Sequence, residues 1–242
     1  MTHQNPPEHF KGKSVSQHLK DARLRGARAT SETHGTELPG HFSAGSDSAK
    51  NTSVLFLILF AASASFPLLI AFGVGWIIWS AGRSALLGWA RLERLHRVIE
   101  EERFEIEHHR DQEKEELREM YADKGFSGKL LDEVVEVLMS DDNRLLKIML
   151  EEELGLSLEA YEHPLKQATG AALGALVSFA LALMSFYFWP KIGIPLTSFL
   201  VIAISANMTA KYEKRKALSS VIWNFSLALF AALVVYFLAK LL

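Results

Sequence analysis

The chain has 242 residues, a net charge of −2, 49% hydrophobic and 22% charged residues, a mean hydropathy of +0.11 and no cysteine. The missing thiols exclude a disulfide framework, Cys-ligated zinc, iron–sulfur clusters and thiol catalysis, and the balanced charge argues against a nucleic-acid partner. The averages conceal a sharp segregation. Of the 28 acidic residues, 22 lie between Glu93 and Glu162, among only 10 Lys and Arg, whereas residues 54–79, 167–189, 192–209 and 218–239 contain no Asp or Glu.

Residues 1–53 form a polar N-terminal region whose first apolar run begins only at Val54, unlike a signal peptide. Residues 16–28 predict an amphipathic basic helix, lying on a membrane or on the rest of the protein. Pro39-Gly40 and the stretch 45–48 read as a flexible tether. Residues 54–79 predict a first membrane span. The run is long enough for one crossing and too short for a hairpin of two, with a kink at Pro67.

Residues 80–163 predict an acidic helical domain without strands. One helix runs from the membrane to about Lys124 and stops at Gly125. A second covers 128–139 behind Ser127, with Leu131, Val134, Val135 and Leu138 on one buried face. A third covers 142–154, after Asp141 and before Gly155.

Residues 164–242 predict a three-span membrane bundle: 167–189 and 192–209 joined at Pro190-Lys191, then 218–239. The fold class is therefore all-α, a polytopic membrane helix bundle of about four spans with an inserted helical domain. Arg83, Arg91, Arg94 and Arg97 and the basic loop 211–216 predict the cytoplasmic side, and the acidic domain falls there too. One crossing between Lys50 and Arg83 then puts the N-terminus on the other side. No acid lies within these spans, and Asn207, Met208, Thr209 and Asn224 are their polar candidates. The small residues of 169–175 predict close helix approach in lipid, closing a homodimer.

The chemistry concentrates in residues 100–121. At about 100° per residue, Glu102, Glu105, His109, Glu113 and Glu116 fall within roughly 80° of one another on a helix. Arg103, Arg110, Lys114 and Arg118 point elsewhere on a regular helix. A solvated acidic face is the commoner origin of such a stripe. A hard divalent cation such as Mn²⁺, Mg²⁺, Ca²⁺ or Fe²⁺ is the alternative, since it takes oxygen ligands from paired carboxylates. Met149 and Glu153, four residues apart, add a thioether and a carboxylate on one face, odd for Ca²⁺ or Mg²⁺ but acceptable for Fe²⁺; Met149 alone is more often a core residue. Glu93–His96 and Glu105–His108 have a di-iron spacing, but both fall on one helix rather than being spread over a four-helix bundle. No nucleophile triad, phosphate loop or dinucleotide fingerprint is evident, so neither an enzyme nor an organic cofactor is expected.

From about Ser80 to Leu242 the chain resembles the vacuolar iron transporter (VIT) family. The resemblance rests on the Glu102/Glu105 and Glu113/Glu116 pairs, Met120-Tyr121 with Gly125, Ile148-Met149-Leu150 with Glu153-Leu154-Gly155-Leu156, and His163-Pro164-Leu165 opening three closely spaced spans. It implies dimers that export Fe²⁺ or Mn²⁺ from the cytosol, commonly by proton exchange. It also implies a cytoplasmic three-helix metal-binding domain between the second and third of five spans. Carried over by position, it implies metal ligands at Glu102, Glu105, Glu113, Glu116, Met149 and Glu153. The first third departs from the family. The first span with its Asp-Gly motif is missing from the polar region before Val54, and Arg83 stands where the second span's motif carries an acid. A transporter is the reading adopted. A membrane-anchored metal sensor or buffer that has lost transport, and an adaptor that binds no metal, are the competing readings.

Overall fold

The computed structural model describes residues 14–30, 39–156 and 162–241. The expected features at 1–13, 31–38 and 157–161 lie outside these. The described residues are helical: α1 (Val15–Thr30), α2 (Gly40–Ala61), α3 (Phe66–His108), α4 (Arg110–Asp123), α5 (Gly128–Met139), α6 (Asp142–Ile148) with a π turn (Met149–Glu153), α7 (Pro164–Phe188), α8 (Gly193–Tyr212) and α9 (Ala217–Leu241). The chain divides into two compact units, one of residues 1–31 and 90–161, the other of 32–89 and 162–242. Four helices, α3, α7, α8 and α9, are long and apolar enough to cross a membrane. An all-α membrane bundle is the result.

The second unit differs from the sequence reading at its start. The single span expected over 54–79 is two helices, because the chain leaves helical geometry at Ala62–Ser65 and Ser63 takes a positive φ of 59°. Pro67 is therefore no kink. It sits in the first turn of α3, where its missing N–H costs nothing. The expected tether at 39–48 is instead the first half of α2, which packs against α7, α8 and α9.

Local chemistry explains why so polar a helix can be enclosed. The Ser46 and Thr209 hydroxyls hydrogen-bond at 2.9 Å, Ser178 donates to the Ala49 carbonyl at 3.1 Å, and Trp76 Nε1 donates to Thr52 at 3.1 Å. Each polar group of α2 named here meets a partner on another helix, so its burial leaves no unmet hydrogen bond. Below them Phe56 and Leu57 are buried against Leu69, Ala182, Ile194 and Ile202.

Close approach of α2 and α7 depends on glycine. A Cβ on Gly170 would lie 2.0 Å from the His41 carbonyl oxygen, and one on Gly174 would lie 2.0 Å from that of Gly45. The small run 169–175, expected to face a second copy, is thus used within the chain.

The acidic unit follows the sequence more closely. α5 occupies the expected residues, and Asp141 caps α6 by accepting from Arg144 N at 2.8 Å. Gly125, φ +97°, ends α4 as expected. Its core joins Leu19 of α1, Ile106 of α3, Leu117 and Met120 of α4, Leu131 and Val135 of α5, Leu145 of α6 and Met149. α1 is therefore the amphipathic helix expected near 16–28, and it lies on the protein. Sharing a core with α4 and the π turn, it cannot be across a membrane from them. For α1, the expectation of a place opposite the acidic domain is overturned.

Candidate metal centre

The long helix expected to run to Lys124 is interrupted at His109, whose φ of −128° and ψ of 33° end α3 and begin α4. The interruption matters for the glutamates. On a straight helix, eleven residues at 1.5 Å each separate Glu102 from Glu113 by ~16 Å, too far for their carboxylates to meet. Here ligand oxygens of Glu102, Glu105 and Glu113 all lie within 4.8 Å of one another. A second group, Glu116, Glu153 and His18, meets the same limit. His109, although counted in the stripe, belongs to neither group.

These side chains are buried to an unusual degree. Glu113 and Glu116 are 0% exposed, Glu153 1% and Glu102 2%, while Glu105 is half-buried. Burial raises the Glu113 carboxyl to about 11, reinforced by the neighbouring charges of Glu102, Glu116, Glu153 and Glu105. The two groups therefore share one electrostatic neighbourhood, with Glu113 its most strongly affected member.

The basic residues of these helices point outward, as expected of Arg110 and Arg118. Arg110 pairs with Asp142 at 2.6 Å, Arg118 with Asp132 at 2.5 Å, and Lys124 with Glu152 at 2.5 Å. The Glu93 of the first di-iron-spaced pair bonds Arg97 at 3.7 Å on an exposed face.

Glu153 reaches its position through the π turn, in which Leu154 N bonds the Met149 carbonyl five residues back at 3.1 Å. Such turns are rare and frequent at functional sites. Met149 opens the turn fully buried among Leu117, Met120 and Leu145, so its thioether is part of the core as well as a predicted ligand. Of the six predicted ligands, five glutamates fall into the two groups, and Met149 shares Glu153's turn.

Sequence reasoning missed His18. It lies one residue before Leu19 on the α1 face that buries Leu19 and Ala22, and it is 8% exposed. The signal available was the spacing Val15, Leu19, Ala22, which marks a buried face with a histidine on it.

A cavity of about 170 Å³ lies within the second unit, lined by Asp47, Asn51, Trp76, Ser80, Arg83 and Ser84. Asp47 belongs to α2 and pairs with Lys50 at 2.7 Å. Asp47 thus adds an acid to the helices of this unit, outside the acid-free runs 54–79, 167–189, 192–209 and 218–239.

Comparison with known families gives a match to the VIT family over residues 89–240. No curated protein matches the chain. The match takes in α4 to α8, nearly all of α9, the end of α3 and every glutamate of the two groups, and it leaves out α1, α2 and His18. More than half of the chain is covered. The chain belongs to the VIT family, a family of membrane metal-ion transporters rather than enzymes.

Proposed function

We propose that this protein moves Fe²⁺ or Mn²⁺ out of the cytosol, with the acidic unit capturing the ion before it enters the helix bundle. The observation that carries this reading is the pair of buried ligand groups, Glu102–Glu105–Glu113 and His18–Glu116–Glu153, in a chain of a metal-transport family. Buried like charges repel strongly, and a hard or borderline divalent cation is the partner that turns that repulsion into coordination. Glu102, Glu105, Glu113, Glu116, Met149 and Glu153 are the proposed ligands. Asp47, the acid among the bundle helices, is the candidate for the ion's next contact. Proteoliposomes containing the purified protein test the reading. Mn²⁺ or Fe²⁺ entry should quench an enclosed metal-sensitive dye, and the Glu113→Gln/Glu116→Gln protein should lose most of that flux.

A second reading, a membrane-anchored metal sensor or buffer, is favoured by the cations around Asp47. Lys50 neutralises it, and Arg83 lines the same cavity. Metal binding without any flux would select this reading.

The positive-inside rule, applied to loop 213–216 and Arg83, puts the acidic unit in the cytoplasm. Because the sequence has no cysteine, single-cysteine reporters are unambiguous. Lys20→Cys, Glu133→Cys and Lys214→Cys should react with a membrane-impermeant maleimide from the cytoplasmic side. Lys191→Cys, in the turn between α7 and α8, should react only from the other side. Labelling of Lys20→Cys together with Lys191→Cys would refute this topology.

A further inference from the structure

We infer that His18 of α1 is a metal ligand of this protein, forming with Glu116 and Glu153 a mixed nitrogen–oxygen subsite beside the all-oxygen subsite of Glu102, Glu105 and Glu113. The inference deepens the metal-capture reading above and rests on it.

Geometry supplies the first support. His18 Nε2 lies 3.7 Å from Glu116 Oε1 and 3.8 Å from Glu153 Oε1. These separations exceed a hydrogen bond. Two donors held about 2.1 Å from one cation stand roughly 3–3.5 Å apart, depending on geometry. A cation shared by His18 and either carboxylate would need to draw that pair together by only a few tenths of an ångström, and all three ligand atoms lie within 4.8 Å of one another.

Burial supplies the second. An imidazole tolerates exposure well, and α1 has an exposed face on which to carry one. His18 is instead more than nine-tenths buried, facing two carboxylates that are themselves 0% and 1% exposed. Leu19 and Ala22, which follow it on the buried face of α1, are packed into the cores formed with Leu117 and Leu150. Apolar packing thus fixes the backbone of α1 and aims its histidine.

Chemistry then defines the cation. Carboxylate-only sets suit Mg²⁺ and Ca²⁺ as readily as transition metals, whereas imidazole nitrogen suits Fe, Zn, Cu and Ni. The His18 subsite therefore selects borderline divalent transition ions over the abundant alkaline-earth ions. It does so with a residue outside the family match, so the preference belongs to this chain's own N-terminal segment. Occupancy of the subsite also ties α1 to the π turn and α4, so metal binding and α1 docking strengthen each other.

The test uses the full-length protein in detergent with MnCl₂ as the probe, added in excess so that the weaker of the two subsites for this oxygen-preferring ion is also filled. Pulsed electron paramagnetic resonance of bound Mn²⁺ should show nitrogen modulation that changes when the histidines carry ¹⁵N. The modulation should vanish in His18→Gln, with Mn²⁺ affinity at that subsite falling at least ~10-fold, and persist in His109→Gln. Bound Mn²⁺ without nitrogen modulation in the unmodified protein overturns the inference while leaving the carboxylate site intact. Modulation that survives in His18→Gln also overturns it. Failure of the unmodified protein to bind Mn²⁺ at all overturns the metal-capture reading and the His18 assignment together. Because the decisive spectrum is recorded on unmodified protein, a folding defect in the variant cannot decide the matter.

Discussion

Adding Mn²⁺ to the purified, metal-free protein should raise its melting temperature substantially, and Glu113→Gln/Glu116→Gln should erase the increase. A ligand at a hundredfold excess over its dissociation constant stabilises the folded state by about 2.7 kcal/mol. For a chain of this size that amounts to roughly 5–10 °C. The double substitution removes one donor set from each ligand group while keeping side-chain size and helix propensity, so the effect should fall to within about 1 °C. Without metal the doubly substituted protein should melt no lower than the unmodified one, because two buried carboxyls have been replaced by neutral amides. Differential scanning fluorimetry on the full chain measures both, and the full chain is required because α1 belongs to the acidic unit's core. Equal melting temperatures with and without Mn²⁺ would sink the assignment of these glutamates as ligands.

The same experiment has a pH axis with a defined sign. Glu113 is raised from an ordinary carboxyl value to about 11 by burial and by its carboxylate neighbours. The folded state therefore holds a proton that the unfolded state releases above its ordinary value of 4.5. Folding is favoured most below that value, and the stabilisation is lost progressively as pH rises toward 11. Metal-free protein should thus melt at a lower temperature at pH 8 than at pH 6, and Glu113→Gln should flatten the slope. Metal binding has the opposite dependence, since the ion must displace that proton.

Gly174→Ala should unfold or disperse the membrane unit, although it adds a single methyl group. The new Cβ would lie 2.0 Å from the Gly45 carbonyl oxygen, an atom of the backbone that no rotamer change can move. Relief requires α2 and α7 to separate, which breaks the Ser178–Ala49 bond and exposes the polar stretch of α2. Overpacking in a tight core costs about 1–3 kcal/mol, here with lost hydrogen bonds in addition. A drop of more than about 5 °C in melting temperature, or loss of the monodisperse peak in detergent chromatography, is expected. Gly75→Ala is the control: nothing lies within 4 Å of its Cβ position, and alanine is the better helix former. Indistinguishable melting of Gly174→Ala and unmodified protein would refute the α2–α7 crossing.

Legibility in the sequence followed the kind of force at work. The helices α7, α8 and α9 advertise themselves by uninterrupted apolar length, and α5 and α6 by a one-sided apolar face and by Ser127 and Asp141 at their starts. α2 advertises nothing of the sort. Its first half contains Ser43, Ser46, Asp47, Ser48, Lys50 and Asn51; Ser46 is met by Thr209 far away in the chain, and Asp47 and Lys50 by each other within the helix. A count of apolar residues cannot see partners that lie 120 or more positions later. The ligand glutamates were legible as types and as a stripe. Their grouping was not, because it depends on a backbone break at His109 that no proline or glycine announces. His18 was hidden for the converse reason: its significance lies in what α1 packs against.

The polar character of α2 has a bearing on how the protein is made. At the middle of an isolated helix in lipid, a residue such as Asp47 or Lys50 opposes insertion by about 2.5–3.5 kcal/mol each. The groups that compensate α2, among them Ser178, Thr209 and the close backbone of Gly170 and Gly174, are synthesised more than 100 residues later. α2 is thus expected to settle not when it leaves the ribosome but only after α7 and α8 have entered the bilayer. The order of assembly in the membrane is accordingly not the order of translation, and a chain truncated before α7 should leave α2 accessible to protease.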